Sequence, residues 1–319
     1  MAKRYWGSQT TLRNRASLSG IGVHSGQRVA ITLHPAEADS GIYFFRPNPG
    51  DGRDREIPAD FRYVSATDLC TTVGDDGISV ATVEHLLAAL RALDVDNVMV
   101  EIDGSEIPVM DGSADAFIDA VDQAGVTRLS APRRYVRVEK PLRVELGSSY
   151  AEFRPHDGMR LEVDIDFTNP IIGTQSLALD VNPENFRKHL SRARTFGFLS
   201  DVEQLWARGL CLGASLDNAI VVGDDRIVNP EGLRFPDEFV RHKALDALGD
   251  LALAPAPILG CYRSFRGGHR LNVVALKALF ADESAWSLVE VTARRDTRET
   301  AHPDLSPALS AAAFAPEVS

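Results

Sequence analysis

The sequence predicts an α+β protein built as two units, and three observations carry that reading. The chain has 319 residues, 44% hydrophobic and 25% charged, and at roughly 150 residues per domain this is enough for two ordinary cores. Apolar side chains alternate with period two in several short runs, the mark of half-buried strands. Runs at helical spacing come after groups of strands instead of alternating with each one, which favours α+β over a regular βαβ winding.

Taken in order, Val29, Ile31 and Leu33 and then Ile42 and Phe44 mark the first strands. Leu86, Leu90 and Leu93 stand at helical spacing behind Thr82, a side chain suited to cap that helix, and Phe117, Ile118 and Val121 mark a second helix. Leu129 to Arg134, with a proline and a charge pair, reads as a linker. Alternation resumes at Leu142, Val144 and Leu146 and at Leu161, Val163, Ile165 and Phe167, a helix spans Phe239 to Leu253, and the apolar strand Ile258 to Phe265 leads to another helix near His269. The tail beyond Val291 is charged, then Ala-rich with Pro303, Pro307 and Pro316, and reads as a loose end. This divides the chain into units at 1–130 and 131–295 and a flexible tail at 296–319. Asp96, Asn97, Val100 and Asp103 recur 121 residues later as Asp217, Asn218, Val221 and Asp224, an internal echo consistent with two halves of like design.

Composition narrows the partners. Asp plus Glu number 45 against 34 Lys plus Arg, a net charge of −11 with no basic block, which argues against a nucleic-acid partner. The first residues lack the apolar segment of a signal peptide, and the richest apolar stretch, 251–262, is broken by Pro255 and Pro257, so no integral membrane segment is expected. Cys70, Cys211 and Cys261 are far apart and odd in number, which suits a reducing compartment. A cytoplasmic monomer acting on a small molecule is expected.

The helix opening at Pro236 is the most informative for chemistry. At about 100° per residue, His242, Asp246 and Asp250 fall within an arc of about 80°. An imidazole and a carboxylate one turn apart can reach one ion and suit Zn²⁺, although the same stripe would serve as a solvated helix face. In the helix behind Thr82, Glu84 and His85 sit in the first turn, where the helix dipole favours an ionised carboxylate and a neutral imidazole. Those are the states wanted of a general base and a metal ligand, while a buried, hydrogen-bonded histidine beside an N-terminal glutamate remains the plainer alternative. His269 follows Gly267 and Gly268, and Lys243 and Arg266 offer positive charge to an anionic substrate. Segments 194–199 and 209–213 are apolar but broken by glycine, which suits lining a channel as well as plain packing. His24 and Asp111 lie in Gly-rich turns whose local hydrogen bonds explain them without catalysis.

Together Gly22 to Gly26, Thr82 to Leu86, Pro108 to Ser113, Ala193 to Phe198, Gly209 to Gly213, His242 to Asp250 and the pair Gly268 and His269 resemble the zinc-dependent UDP-3-O-acyl-N-acetylglucosamine deacetylases of lipid A biosynthesis, in order from Thr11 to Leu279. The resemblance implies two similar domains, each a β-sheet layered with helices and packed helix face to helix face as a β-α-α-β sandwich. An insert in each domain is implied too, the second forming a hydrophobic passage for the acyl chain. It implies removal of the N-acetyl group to give UDP-3-O-acyl-glucosamine and acetate, the committed step of that biosynthesis. By position, His85, His242 and Asp246 match the zinc ligands, Glu84 the general base, His269 the general acid, Asp250 its supporting carboxylate and Thr195 a hydroxyl near the oxyanion. Phe196, Phe198, Leu199 and Gly213 match the passage, and Lys243 and Arg266 match positions that meet the diphosphate, Arg266 standing where a lysine is more usual. A metal-dependent deacylase of another sugar nucleotide would differ in its acyl-chain dependence. A non-catalytic binding module would have no need for both a base and an acid.

Overall fold

The computed structural model describes residues 7–47, 55–75 and 77–291; the expected tail at 296–319 lies outside the described residues. Eighteen strands are described. They are β1 (Ser8–Leu12), β2 (Ala16–Ile21), β3 (Arg28–Pro35), β4 (Ile42–Arg46), β5 (Arg55–Pro58), β6 (Val64–Ala66), β7 (Thr72–Gly74), β8 (Ser79–Val80), β9 (Val98–Ile102), β10 (Val126–Val138), β11 (Leu142–Leu146), β12 (Ser149–Arg154), β13 (Met159–Asp166), β14 (Thr174–Val181), β15 (Phe196–Phe198), β16 (Ile220–Val222), β17 (Ile258–Phe265) and β18 (Trp286–Val291). Six α-helices accompany them: α1 (Glu84–Ala92), α2 (Asp115–Ala124), α3 (Pro183–His189), α4 (Val202–Ala207), α5 (Glu238–Leu251) and α6 (His269–Ala281). The fold is α+β, as the patterning predicts.

The two halves repeat one strand order. In the first, β2-β3-β9-β4-β5 pair in sequence, with β3 antiparallel and β4 parallel to the central β9. In the second, β11-β12-β17-β13-β14 do the same, with β12 antiparallel and β13 parallel to the central β17. Each central strand is preceded by one helix and followed by another, so α1-β9-α2 corresponds to α5-β17-α6. The repeat therefore differs from the one suggested by residue identity. Asp217 and Asn218 precede β16, which pairs with β15 in a short parallel ribbon, whereas the true counterpart of β9 is β17. Pairing geometry and helix position are conserved between halves where side-chain identity is not.

The proposed linker is also structured. Residues 129–134 lie in the middle of β10, which pairs with β1, β18 and β17. Pro132, which cannot donate to a ladder, falls opposite Ser8 where the β1–β10 register shifts. Arg133 is 1% exposed and bonds Asp94 and Asp96 at the end of α1, at 2.8 and 2.9 Å. A charge pair that reads as solvated linker is in part a buried tie between the halves.

Between the sheets lie the helices. Eight of the nine residues of α1 are buried, as are twelve of the fourteen of α5, and a helix buried on all sides belongs between layers. The two cross at Gly249, where an added Cβ would stand 2.0 Å from the Glu84 carbonyl oxygen. The small residue permits backbone to approach backbone, and it does so beside the first turn of α1. Apolar residues of both halves, among them Leu33, Leu86, Phe117, Phe153, Leu161 and Leu248, form one continuous core.

Candidate metal centre and cleft

Three side chains from two helices meet at the α1–α5 crossing. His85 comes from α1 and His242 and Asp246 from α5, and one ligand atom of each lies within 4.8 Å of the others. His242 Nε2 is 3.2 Å and His85 Nε2 3.5 Å from Asp246 Oδ1. Donors held about 2.1 Å from a tetrahedral ion stand about 3.4 Å apart, so the spacing fits. Asp246 Oδ1 is buried without a hydrogen bond, a costly state for a carboxylate oxygen that a cation would relieve. His242 Nδ1 donates to the Ala193 carbonyl at 3.0 Å, which fixes the ring and leaves Nε2 facing Asp246. Burial takes the His242 pKa down to about 3, so the ring is neutral. Asp246 has its pKa well below the usual carboxylate range, since His242 and Lys243 outweigh its burial. A neutral imidazole and an ionised carboxylate are the forms that bind metal. The stripe on α5 is therefore not a solvated face.

Glu84 and His269 flank this group. Glu84 Oε1 is 3.8 Å from His269 Nε2, and Glu84 Oε2 accepts the Thr71 N–H at 3.1 Å. Burial raises the Glu84 pKa, against the pull of His269 and His85. Desolvation, not the helix dipole, governs this carboxylate, contrary to the simple helix-terminus argument. Burial would lower His269, but Asp250 foremost and then Glu84 outweigh it, and its pKa rises to about 9. His269 Nδ1 lies 2.9 Å from Asp250 Oδ2. Asp250 is fully buried and also accepts from the Thr71 hydroxyl and the Asn272 amide.

The start of α1 differs from expectation. Thr82 does not cap the helix; its φ is 58° and its hydroxyl donates to Glu106 at 3.0 Å, leaving Val83 at the cap position. Glu106 also accepts the N–H groups of His24 and Ser25, so a buried carboxylate competes successfully for the threonine. Positive φ at Leu69, Thr82 and Cys211, all lining the cleft, concentrates backbone strain there.

The cleft has a volume of about 370 Å³ and an apolar lining. Glu84, His85, His242, Lys243, Asp246, His269, Thr195, Phe196 and Phe198 all border it. Lys243 turns inward, donating to Asp246 Oδ2 at 2.8 Å with its Nζ 5.6 Å from the Phe196 ring centre. Its pKa is raised, Asp246 outweighing burial. Arg266 stands apart, φ 51°, donating to Asp166 at 2.5 Å. Leu199 lies outside the lining at 54% exposure, and Gly213 packs against the Gly22 carbonyl. His24, given only a local role by the sequence, borders the cleft with its Nδ1 3.7 Å from Cys211 Sγ. Cys70 is a buried thiol whose pKa burial and Glu84 push up to about 12; among the described residues the group able to hold a metal ion is His85, His242 and Asp246.

Behind Thr195 sits a buried ion pair. Arg194 is 2% and Glu238 0% exposed, and Arg194 Nε donates to Glu238 Oε1 at 2.9 Å. The pair ties the first residue of α5 to the segment that supplies Thr195 and the Ala193 carbonyl.

The model of the family described as UDP-3-O-acyl N-acetylglycosamine deacetylase matches residues 9–281. Curated proteins named UDP-3-O-acyl-N-acetylglucosamine deacetylase from Brucella ovis and Brucella canis are 55% identical over 283 residues, covering 88% of this chain and 98% of theirs. One of the same name from Brucella melitensis biotype 2 is 54% identical over 283 residues. The match takes in both repeated halves and the helix crossing where His85, His242 and Asp246 meet, and the chain belongs to the UDP-3-O-acyl N-acetylglycosamine deacetylase family.

Proposed function

We propose that the α1–α5 crossing is the active site at which this chain removes the acetyl group of UDP-3-O-acyl-N-acetylglucosamine, the committed step of lipid A biosynthesis. The observation that carries this reading is the meeting of His85, His242 and Asp246 with Glu84 and His269 beside them. As a family member the chain is an amide hydrolase, and the metal we assign to the three ligands is Zn²⁺, on the strength of two imidazoles and one carboxylate. Held by His85, His242 and Asp246, Zn²⁺ would supply Lewis acidity and lower the pKa of water toward neutrality.

The chain's own groups handle the protons. Glu84, buried and raised in pKa, is the group that takes a proton from the attacking water. Thr195, half-buried at the cleft wall, offers a hydroxyl to the developing oxyanion, an interaction of a kind worth about 3 to 4 kcal/mol for one donor. Collapse of the tetrahedral intermediate breaks the C–N bond and releases acetate and an amine. His269, cationic up to about pH 9, donates the proton the leaving nitrogen needs. Asp250 holds the imidazole through Nδ1, so Nε2 is the donating atom.

The apolar walls made by Phe196, Phe198, Leu205 and Val221 suit the acyl chain. We place Leu199 and Gly213 on its path beyond the cleft, and Lys243 and Arg266 toward the diphosphate. Division near residue 130, within β10, gives domains of like topology at 1–130 and 131–295. Three free cysteines favour a reducing compartment, and we place the chain in the cytoplasm as a monomer; among the described residues no helix is long and apolar enough to cross a membrane. The test is hydrolysis of UDP-3-O-acyl-N-acetylglucosamine by the purified chain before and after chelation. Acetate release abolished by chelator and restored by Zn²⁺ is expected; activity indifferent to chelation, or no acetate release, contradicts the reading.

A further inference from the structure

Thr71 touches Glu84 and also Asp250, the carboxylate that holds His269, and belongs to neither of their helices. It precedes β7 by one residue and is 0% exposed. Its N–H donates to Glu84 Oε2 at 3.1 Å, and its hydroxyl donates to Asp250 Oδ1 at 2.5 Å. Its carbonyl accepts the N–H of Val83, the residue that opens α1, at 3.3 Å. One residue thus grips the start of α1, the carboxylate α1 presents, and a carboxylate on α5 that is 179 positions away in sequence.

The far side of Asp250 is equally fixed. Oδ2 lies 2.9 Å from His269 Nδ1 and accepts the Asn272 amide at 2.7 Å. The amide is oriented in turn by the Tyr262 hydroxyl, which donates to Asn272 Oδ1 at 2.6 Å. Among the described residues, Thr71 makes the one hydrogen bond found on Asp250 Oδ1. Without it the carboxylate can turn about its Cβ–Cγ bond, and the imidazole it carries turns with it.

We infer that Thr71 is a positioning residue for the deacetylation, bridging Glu84 and Asp250 so that the base and the Asp250-held imidazole face one another across a fixed gap. The gap is the 3.8 Å between Glu84 Oε1 and His269 Nε2, and the reacting amide must be served from both sides of it. This rests on the roles proposed above for Glu84 and His269. Removing the bridge should act on turnover and leave substrate affinity alone, because Thr71 is buried behind both groups and does not line the cleft.

The experiment compares Thr71→Val, which keeps shape and N–H but deletes the hydroxyl, with Thr71→Ser, which keeps the hydroxyl and deletes the methyl. Both are made in the full zinc-loaded chain, with kcat, KM and zinc stoichiometry measured. Supporting contacts of this kind are worth about 10- to 100-fold, so Thr71→Val should lose that much kcat with KM and zinc content unchanged. Thr71→Ser should stay within about threefold of the parent. A valine variant as fast as the parent overturns the inference, as does a serine variant that falls as far as valine, which would reduce Thr71 to packing. Should valine prevent folding, Thr71→Ala carries the same comparison with serine. A parent that does not deacetylate overturns the proposed function and this role with it; an active parent with unaffected variants overturns the role of Thr71 alone.

Discussion

Replacing Gly249 by alanine should force α1 and α5 apart at the point where they hold the site. The added Cβ would lie 2.0 Å from the Glu84 carbonyl oxygen, 2.6 Å from its carbon and 2.8 Å from its Cα. All three are backbone atoms, so no side chain can swing away. Relief out to the 3.4 Å of ordinary contact requires about 1.4 Å of separation. Overpacking of this kind costs about 1 to 3 kcal/mol, while alanine gains about 1 kcal/mol over glycine in helix propensity. The overlap wins or nearly balances, and the larger effect falls on function. Glu84 and His85 move with α1 while His242 and Asp246 stay with α5, and a misplacement of about 1 Å costs about 100-fold in rate. Chelator-competition titration of Zn²⁺, steady-state kinetics and urea unfolding read the three effects separately. Gly268→Ala is the control, since its Cβ meets nothing within 4 Å. A Gly249→Ala chain that binds Zn²⁺ and turns over like the parent would refute the view that this crossing sets the site.

The pH dependence follows from the roles proposed for Glu84 and His269. Glu84 must be deprotonated and its pKa is raised, so kcat/KM should fall on the acid side above the usual carboxylate range of about 4.3. His269 must be protonated and titrates at about 9, so activity should fall as pH rises through that value. His269→Gln should lower kcat and abolish the alkaline limb; a variant whose profile still falls near pH 9 assigns that limb to another group. Arg194→Met leaves Glu238 buried beside an apolar chain, and breaking a buried pair costs about 3 to 5 kcal/mol, measurable by urea unfolding. A loss under about 1 kcal/mol would show that the pair does not anchor α5.

Much of this was legible in the sequence because it depends on local periodicity. α1, α2 and α5 announce themselves through apolar spacing, and the HxxxD turn of α5 places His242 and Asp246 together in any helix. What periodicity cannot give is which faces are buried. Lys243 and Asp250 read as surface charges, yet Asp250 is fully buried and Lys243 is turned onto Asp246. Arg133 reads as a linker charge, and both it and Arg194 are among the most buried side chains. Their partners are 37 to 44 positions away, beyond any helical or strand period. Thr71 was invisible for the same reason: its partners lie 13 and 179 positions off, and nothing in its own segment marks them. Residue identity points to a false repeat, because the halves share hydrogen-bond topology, which tolerates almost any apolar side chain.

The most direct measurement is the metal content and ligand set of the purified chain, by elemental analysis and X-ray absorption, with His85→Ala and Asp246→Ala beside it. One Zn²⁺ per chain bound by two imidazoles and a carboxylate oxygen, and lost in either variant, is the outcome the crossing of α1 and α5 requires. Zinc retained in both variants, or zinc bound through sulfur, would place the centre elsewhere.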